Sequence, residues 1–80
     1  MDAKTVEVMV RDAIDGATVS VEGSGANYDI TVVSEVFAEQ RAVRRQQTVY
    51  AAINEAIASG SIHAVNIRTF TPDEWEAQSV

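Results

Sequence analysis

Cysteine is absent from this 80-residue sequence, so neither a disulfide framework nor a thiolate metal site can be built from the chain alone. A chain this short buries one small core, and residues 1–80 read as a single domain of modest stability. Basic side chains are also scarce: six Lys and Arg stand against twelve Asp and Glu, a net charge of −6. Sequence-independent nucleic-acid binding rests on neutralising phosphates, so the surface as a whole should repel DNA. Long apolar runs are missing too. The longest, Val49 to Ile53, falls far short of the roughly 20 residues of a membrane-spanning helix. The N-terminal MDAKTVEVMVRDA has an acid at position 2 and no apolar stretch of the secretory kind. The expectation is a soluble cytoplasmic protein with no membrane partner.

What is present is strongly patterned. Val6, Met9, Val10 and Ala13 recur at the spacing of an amphipathic helix, which Ile14 extends and Gly16 stops; the spacing predicts a helix over 3–14. TVSVE and YDITVV alternate with period two. Val19 and Val21 share one face of the first run and Tyr28, Ile30 and Val32 one face of the second, and the loop GSGAN joins the two as a hairpin. SEVFAEQ reads as a connector with one short turn that buries Phe37. From Ala42 to Ala58 the helical period returns, with Val43, Gln46, Val49, Tyr50, Ile53 and Ile57 on one half of the wheel and Arg41, Arg44 and Arg45 on the other. The dipeptide SG at 59–60 ends this helix, and IHAVNIRTF has the branched content of a strand, its alternation grouping His63, Val65, Ile67 and Thr69. The only proline then has a positional meaning. Thr71, Pro72 and Glu74 spell an N-cap, a first helical residue and the third member of a capping box, opening a short helix that carries Trp75.

This order predicts an α+β sandwich: a three-stranded mixed sheet, covered on one face by two long helices, with a short C-terminal helix. Its expected core contains Val19, Val21, Ile30, Val32, Val49, Ile53, Val65 and Ile67. The arrangement αββαβ has the shape of class II KH domains. The GxxG clamp by which KH domains hold nucleic acid is lacking, since the glycines stand at 16, 23, 25 and 60.

Candidates for function are few. His63 is the single histidine, and in phase with Val65 and Ile67 it reads either as a packed core side chain or as a ligand. No nucleophile-and-base signature is present, so an enzyme is not expected. GSGANY lacks the third glycine of a dinucleotide loop and joins two strands instead of opening a helix. Arg41, Arg44 and Arg45 gather three of the six basic residues within five positions, at a helix start where the dipole disfavours cations. They are candidates for contact with nucleic acid or another anionic partner, with Glu35 and Glu39 upstream as internal counter-charges.

Three segments carry a resemblance over nearly the whole chain: VEGSGANYDITVVSEVF, RAVRRQQTVYAAI and IHAVNIRTFTPDEW. Together they resemble the BolA family, in particular its short bacterial branch. That resemblance implies a partnership with monothiol glutaredoxins in iron-sulfur cluster handling, with the histidine at the start of the last strand, here His63, as a ligand to a shared [2Fe-2S] cluster. The remaining ligands would come from the glutaredoxin and glutathione, and the isolated protein, a monomer or weak dimer, would carry no cofactor. The family also includes proteins described as transcriptional regulators, which implies DNA as the alternative partner. One position departs from the family pattern: Asn27 stands close to where relatives carry a second histidine or a cysteine.

Overall fold

Asp2 opens the chain's first helix, α1 (Ala3–Ala13), with its carboxylate accepting from the Thr5 amide at 2.8 Å. The computed structural model describes residues 1–78; positions 79 and 80 of the expected 1–80 domain lie outside the described residues. Val6 and Val10 of α1, and Ile14 just beyond it, are buried as their spacing predicts. Gly16, at φ +63, turns the chain into the sheet.

Strands β1 (Thr18–Ser24) and β2 (Asn27–Val33) pair antiparallel, Val19 opposite Val32 and Val21 opposite Ile30. The hairpin is tighter than the five-residue loop expected from GSGAN, because Gly23, Ser24 and Asn27 all join the ladder and leave only Gly25 and Ala26 to turn. Gly25 has φ +66 while Ala26 stays at negative φ, the sign pattern of a type II′ turn, whose twist suits a two-residue hairpin. Gly23 is needed for another reason. Its φ is +125, and a Cβ there would collide with the Asn27 carbonyl oxygen across the ladder.

Ser34 is buried and satisfied twice: its hydroxyl donates to the Asp15 carbonyl at 2.9 Å and accepts from the Val36 amide at 3.2 Å. It thereby caps a 3-10 turn, Glu35–Glu39, which drives Phe37 fully into the core. Helix α2 (Ala42–Ala58) follows. Its buried stripe is Val49, Ile53 and Ala56, narrower than the half-wheel read from sequence, and Val43 and Tyr50 are 70% and 41% exposed. At the first turn the inward positions belong to Arg45 and Gln46 instead of Val43. The Gln46 amide donates to the Ile67 carbonyl at 3.0 Å.

α2 carries the chain across the sheet so that β3 (Ala64–Phe70) pairs parallel with β2, Ile30 opposite Ile67, giving the strand order β1-β2-β3. The mixed three-stranded sheet and the α+β class are therefore as the sequence predicts. The core joins Val6, Val10, Ile14, Tyr28, Ile30, Val32, Phe37, Val49, Ile53, Ala56 and Ile62, with Val19, Val21, Val65 and Ile67 half-buried against it. The capping box of α3 (Pro72–Gln78) is formed as predicted: Thr71 Oγ1 accepts from the Glu74 amide at 3.1 Å and Glu74 Oε1 from the Thr71 amide at 2.9 Å. Trp75 meets Phe70 edge to face, centroids 5.2 Å apart, and with Thr18, Ser20, Thr31 and Val33 lines a cleft of about 290 Å³. Those four residues alternate with Val19, Val21, Ile30 and Val32, so the indole lies against the sheet face away from α1 and α2. Among the described residues no helix is long and apolar enough to cross a membrane.

Candidate metal and partner site

His63 is exposed. Strand alternation groups it with Val65 and Ile67, but the ladder begins one residue later, at Ala64, and the preceding Ile62 is the side chain that enters the core. The alternation therefore does not extend back to position 63, and the packed-core reading of this histidine is set aside. Its approach is fixed from both sides. After α2, Gly60 at φ +83 reverses the chain, while the Ser61 and Ile62 amides both donate to the Ala56 carbonyl, at 2.9 and 3.2 Å. On the sheet side the His63 amide donates to the Ala26 carbonyl at 2.7 Å, with the Ala64 amide on the same oxygen at 3.2 Å.

That oxygen belongs to the β1–β2 turn, so the structure brings the His63 backbone beside that loop. Asn27 pairs with Ala64, the next residue of the chain. It is exposed, and an amide side chain is a poor ligand for iron. Among the described residues no group of three or more His, Cys, Asp or Glu is assembled for a metal ion. His63 offers one accessible imidazole as a donor. It suits a single terminal ligand to a centre completed from outside and does not suit a self-contained metal site.

The three arginines are not one patch. Arg41 is the N-cap residue of α2 and makes no side-chain cap bond; Arg44 borders a cleft of about 470 Å³ with Ala13, Gln47, Thr48, Ala51 and Ala52; both are exposed. Arg45 faces inward, only 14% of its side chain accessible. Its Nε donates to the Gln40 carbonyl at 2.9 Å, its two terminal nitrogens grip Glu74 at 2.7 and 3.2 Å, and its guanidinium lies 5.9 Å from the Phe37 ring centre. The structure places the expected site residue Arg45 as a clamp between the 3-10 turn, α2 and α3. The cause is rotational: at 100° per residue Arg45 sits next to the inward Gln46, and α3 supplies a carboxylate there that the helical wheel cannot see. The Arg45 hydrogen bond, followed by that from the Thr71 amide, holds the Glu74 carboxyl below its ordinary pKa.

His63 and the Arg41–Arg44 pair lie at opposite ends of α2. Seventeen helical residues span about 25 Å at ~1.5 Å each, so these are two separate candidate sites. Sequence reasoning missed a further group at the β1–β2 turn, the Tyr28 hydroxyl, which reaches the Gly25 carbonyl at 2.7 Å and the Met1 carbonyl at 2.8 Å. Alternation marked the Tyr28 ring as buried, but its phenol partners are set by the turn geometry.

Fold and site together define a small α+β domain presenting one accessible imidazole at the end of a mixed sheet, beside a tight hairpin. The chain belongs to the BolA family and falls in its IbaG-like branch: the model for BolA-like proteins matches residues 3–74. It is 36% identical over 75 residues to the acid stress protein IbaG of Escherichia coli K12, covering 94% of this chain and 89% of that one. It is 40% identical over 60 residues to the DNA-binding transcriptional regulator BolA of Haemophilus influenzae, covering 75% of this chain and 57% of that one. A solved BolA homologue from Coxiella burnetii superposes with a TM-score of 0.85 at 30% identity, over 95% of this chain and 97% of the other.

Proposed function

We propose that this protein is a non-enzymatic cytoplasmic adaptor that binds a monothiol glutaredoxin in iron-sulfur cluster trafficking, with His63 as its ligand to a shared [2Fe-2S] cluster. The observation that carries the reading is the exposure of His63, held by its backbone between the α2 exit and the β1–β2 turn, with no group of three or more His, Cys, Asp or Glu assembled among the described residues. A neutral imidazole replacing a thiolate on one iron raises the reduction potential of such a cluster. The thiolates would come from the glutaredoxin and glutathione, consistent with a chain that has no cysteine. Acid stress, the setting named for the Escherichia coli relative, is carried over as part of the proposal.

Co-expression with a monothiol glutaredoxin and anaerobic purification test this directly. The expected result is a mixed complex with visible charge-transfer absorption that depends on glutathione. A colourless complex, or none, would count against it.

A second reading, DNA binding, is favoured by the exposed Arg41 and Arg44 and by the name of the Haemophilus influenzae relative. It is the weaker of the two, because Arg45 is engaged internally and the net charge is −6.

A further inference from the structure

The amide of His63 is held by the Ala26 carbonyl, which lies in the Ala26–Asn27 peptide, so whatever steadies the β1–β2 turn around Ala26 also steadies the origin of the His63 side chain. In a two-residue hairpin the central peptide, here Gly25–Ala26, is the unit whose rotation separates the type II′ turn from type I′. Type I′ would need positive φ at both central residues, and Ala26, which has a Cβ, resists it. The Gly25 carbonyl is one end of that central peptide. It receives the Tyr28 hydroxyl at 2.7 Å, from a side chain only 2% exposed and anchored in the core.

The phenol has one proton and two carbonyls in reach, Gly25 at 2.7 Å and Met1 at 2.8 Å, so the same hydroxyl joins the turn to the start of the chain. Nothing in the packing of the sheet requires an oxygen there, since the ring already fills the core position. We propose that Tyr28 is a positioning residue for His63: its hydroxyl holds the Gly25 carbonyl, one peptide before the Ala26 carbonyl, and so steadies the turn that presents the Ala26 carbonyl to the His63 and Ala64 amides. The consequence for iron binding rests on the ligand role proposed for His63; the consequence for the turn does not.

Tyr28→Phe removes the proton and leaves the ring. Residue-resolved amide hydrogen exchange on the isolated protein should show the His63 and Ala64 amides exchanging several-fold faster in the variant, with Ile30 and Val32 in the middle of the sheet unchanged. Uniform acceleration across the sheet would make Tyr28 a general stability residue, and no change at His63 would mean the hydroxyl does not reach it; either result overturns the proposal. In the glutaredoxin complex reconstituted with iron, sulfide and glutathione, Tyr28→Phe should release the cluster several-fold faster than wild type. Faster exchange with unchanged release overturns the positioning role. A wild-type complex without any His63-dependent cluster sinks the ligand reading instead, and the exchange measurement still decides whether Tyr28 sets the position of His63.

Discussion

Replacing Ile53 with alanine separates two descriptions of α2. The helical wheel drawn from sequence puts Val43 and Ile53 on the same apolar half, whereas in the structure Ile53 is fully buried and Val43 is 70% exposed. Ile53→Ala deletes three carbons from a fully buried site in the core. At about 0.8 kcal/mol per buried CH₂ the transfer loss is about 2.4 kcal/mol. The unfilled cavity brings the total into the range of about 3–4 kcal/mol. For a domain of this length each kcal/mol lowers the midpoint by about 4–8 °C, so the variant should melt about 12–30 °C below wild type or be unfolded at room temperature. Val43→Ala, ten residues earlier on the same helix, should stay within about 0.5 kcal/mol. Urea titration followed by circular dichroism measures both. Equal losses in the two variants would refute the assigned face of α2, and with it the placement of Arg45 and Gln46.

Four further outcomes follow from the site geometry. Arg45→Ala breaks the bonds to Gln40 and Glu74 together and should destabilise the fold by about 1–3 kcal/mol, measured in the same titration. Because the Glu74 carboxyl is held below its ordinary 4.5, its contribution is present above that pH and is lost as pH falls through the lower folded value. The stability gap between wild type and Glu74→Gln should accordingly close in acid; a gap that widens below pH 4.5 would contradict the pairing. Duplex DNA should bind very weakly at physiological salt, with a log–log salt slope no steeper than about −2 for two free arginines, and steep binding that survives loss of Arg41 and Arg44 would place the contact elsewhere. Asn27→His puts an imidazole opposite Ala64, the residue after His63, and should slow cluster loss from the glutaredoxin complex, read as decay of visible absorption; no gain would show that the loop position is not a ligand site.

The fold was legible wherever a local rule had no competitor. Period-two alternation located β1 and β2, the T-P-x-E spacing gave the α3 cap to the atom, and the need for a crossover after β2 implied the parallel partner. Tertiary context decided the rest. Val43 is apolar and correctly spaced yet exposed, because the first turn of α2 gives its inward side to Arg45 and Gln46. Arg45 looked like a member of a cationic patch because its counter-charge, Glu74, is 29 residues away and meets it only after α3 folds back. His63 could be read as core from alternation because the point at which a ladder starts is fixed by pairing, and pairing with the β1–β2 turn is not a local property of IHAVNIRTF. The family resemblance singled out His63; exposure and backbone anchoring are what the coordinates add.

The most direct test of the central claim is nitrogen hyperfine coupling in the electron paramagnetic resonance of the reduced cluster, measured on the glutaredoxin complex with wild type and with His63→Asn. His63 is exposed, so the substitution should leave the fold and its melting midpoint nearly unchanged. The account predicts a strongly coupled imidazole nitrogen in the wild-type complex and its loss in the variant. An identical nitrogen signal in both complexes, or a cluster that shows none in either, would contradict His63 as the ligand.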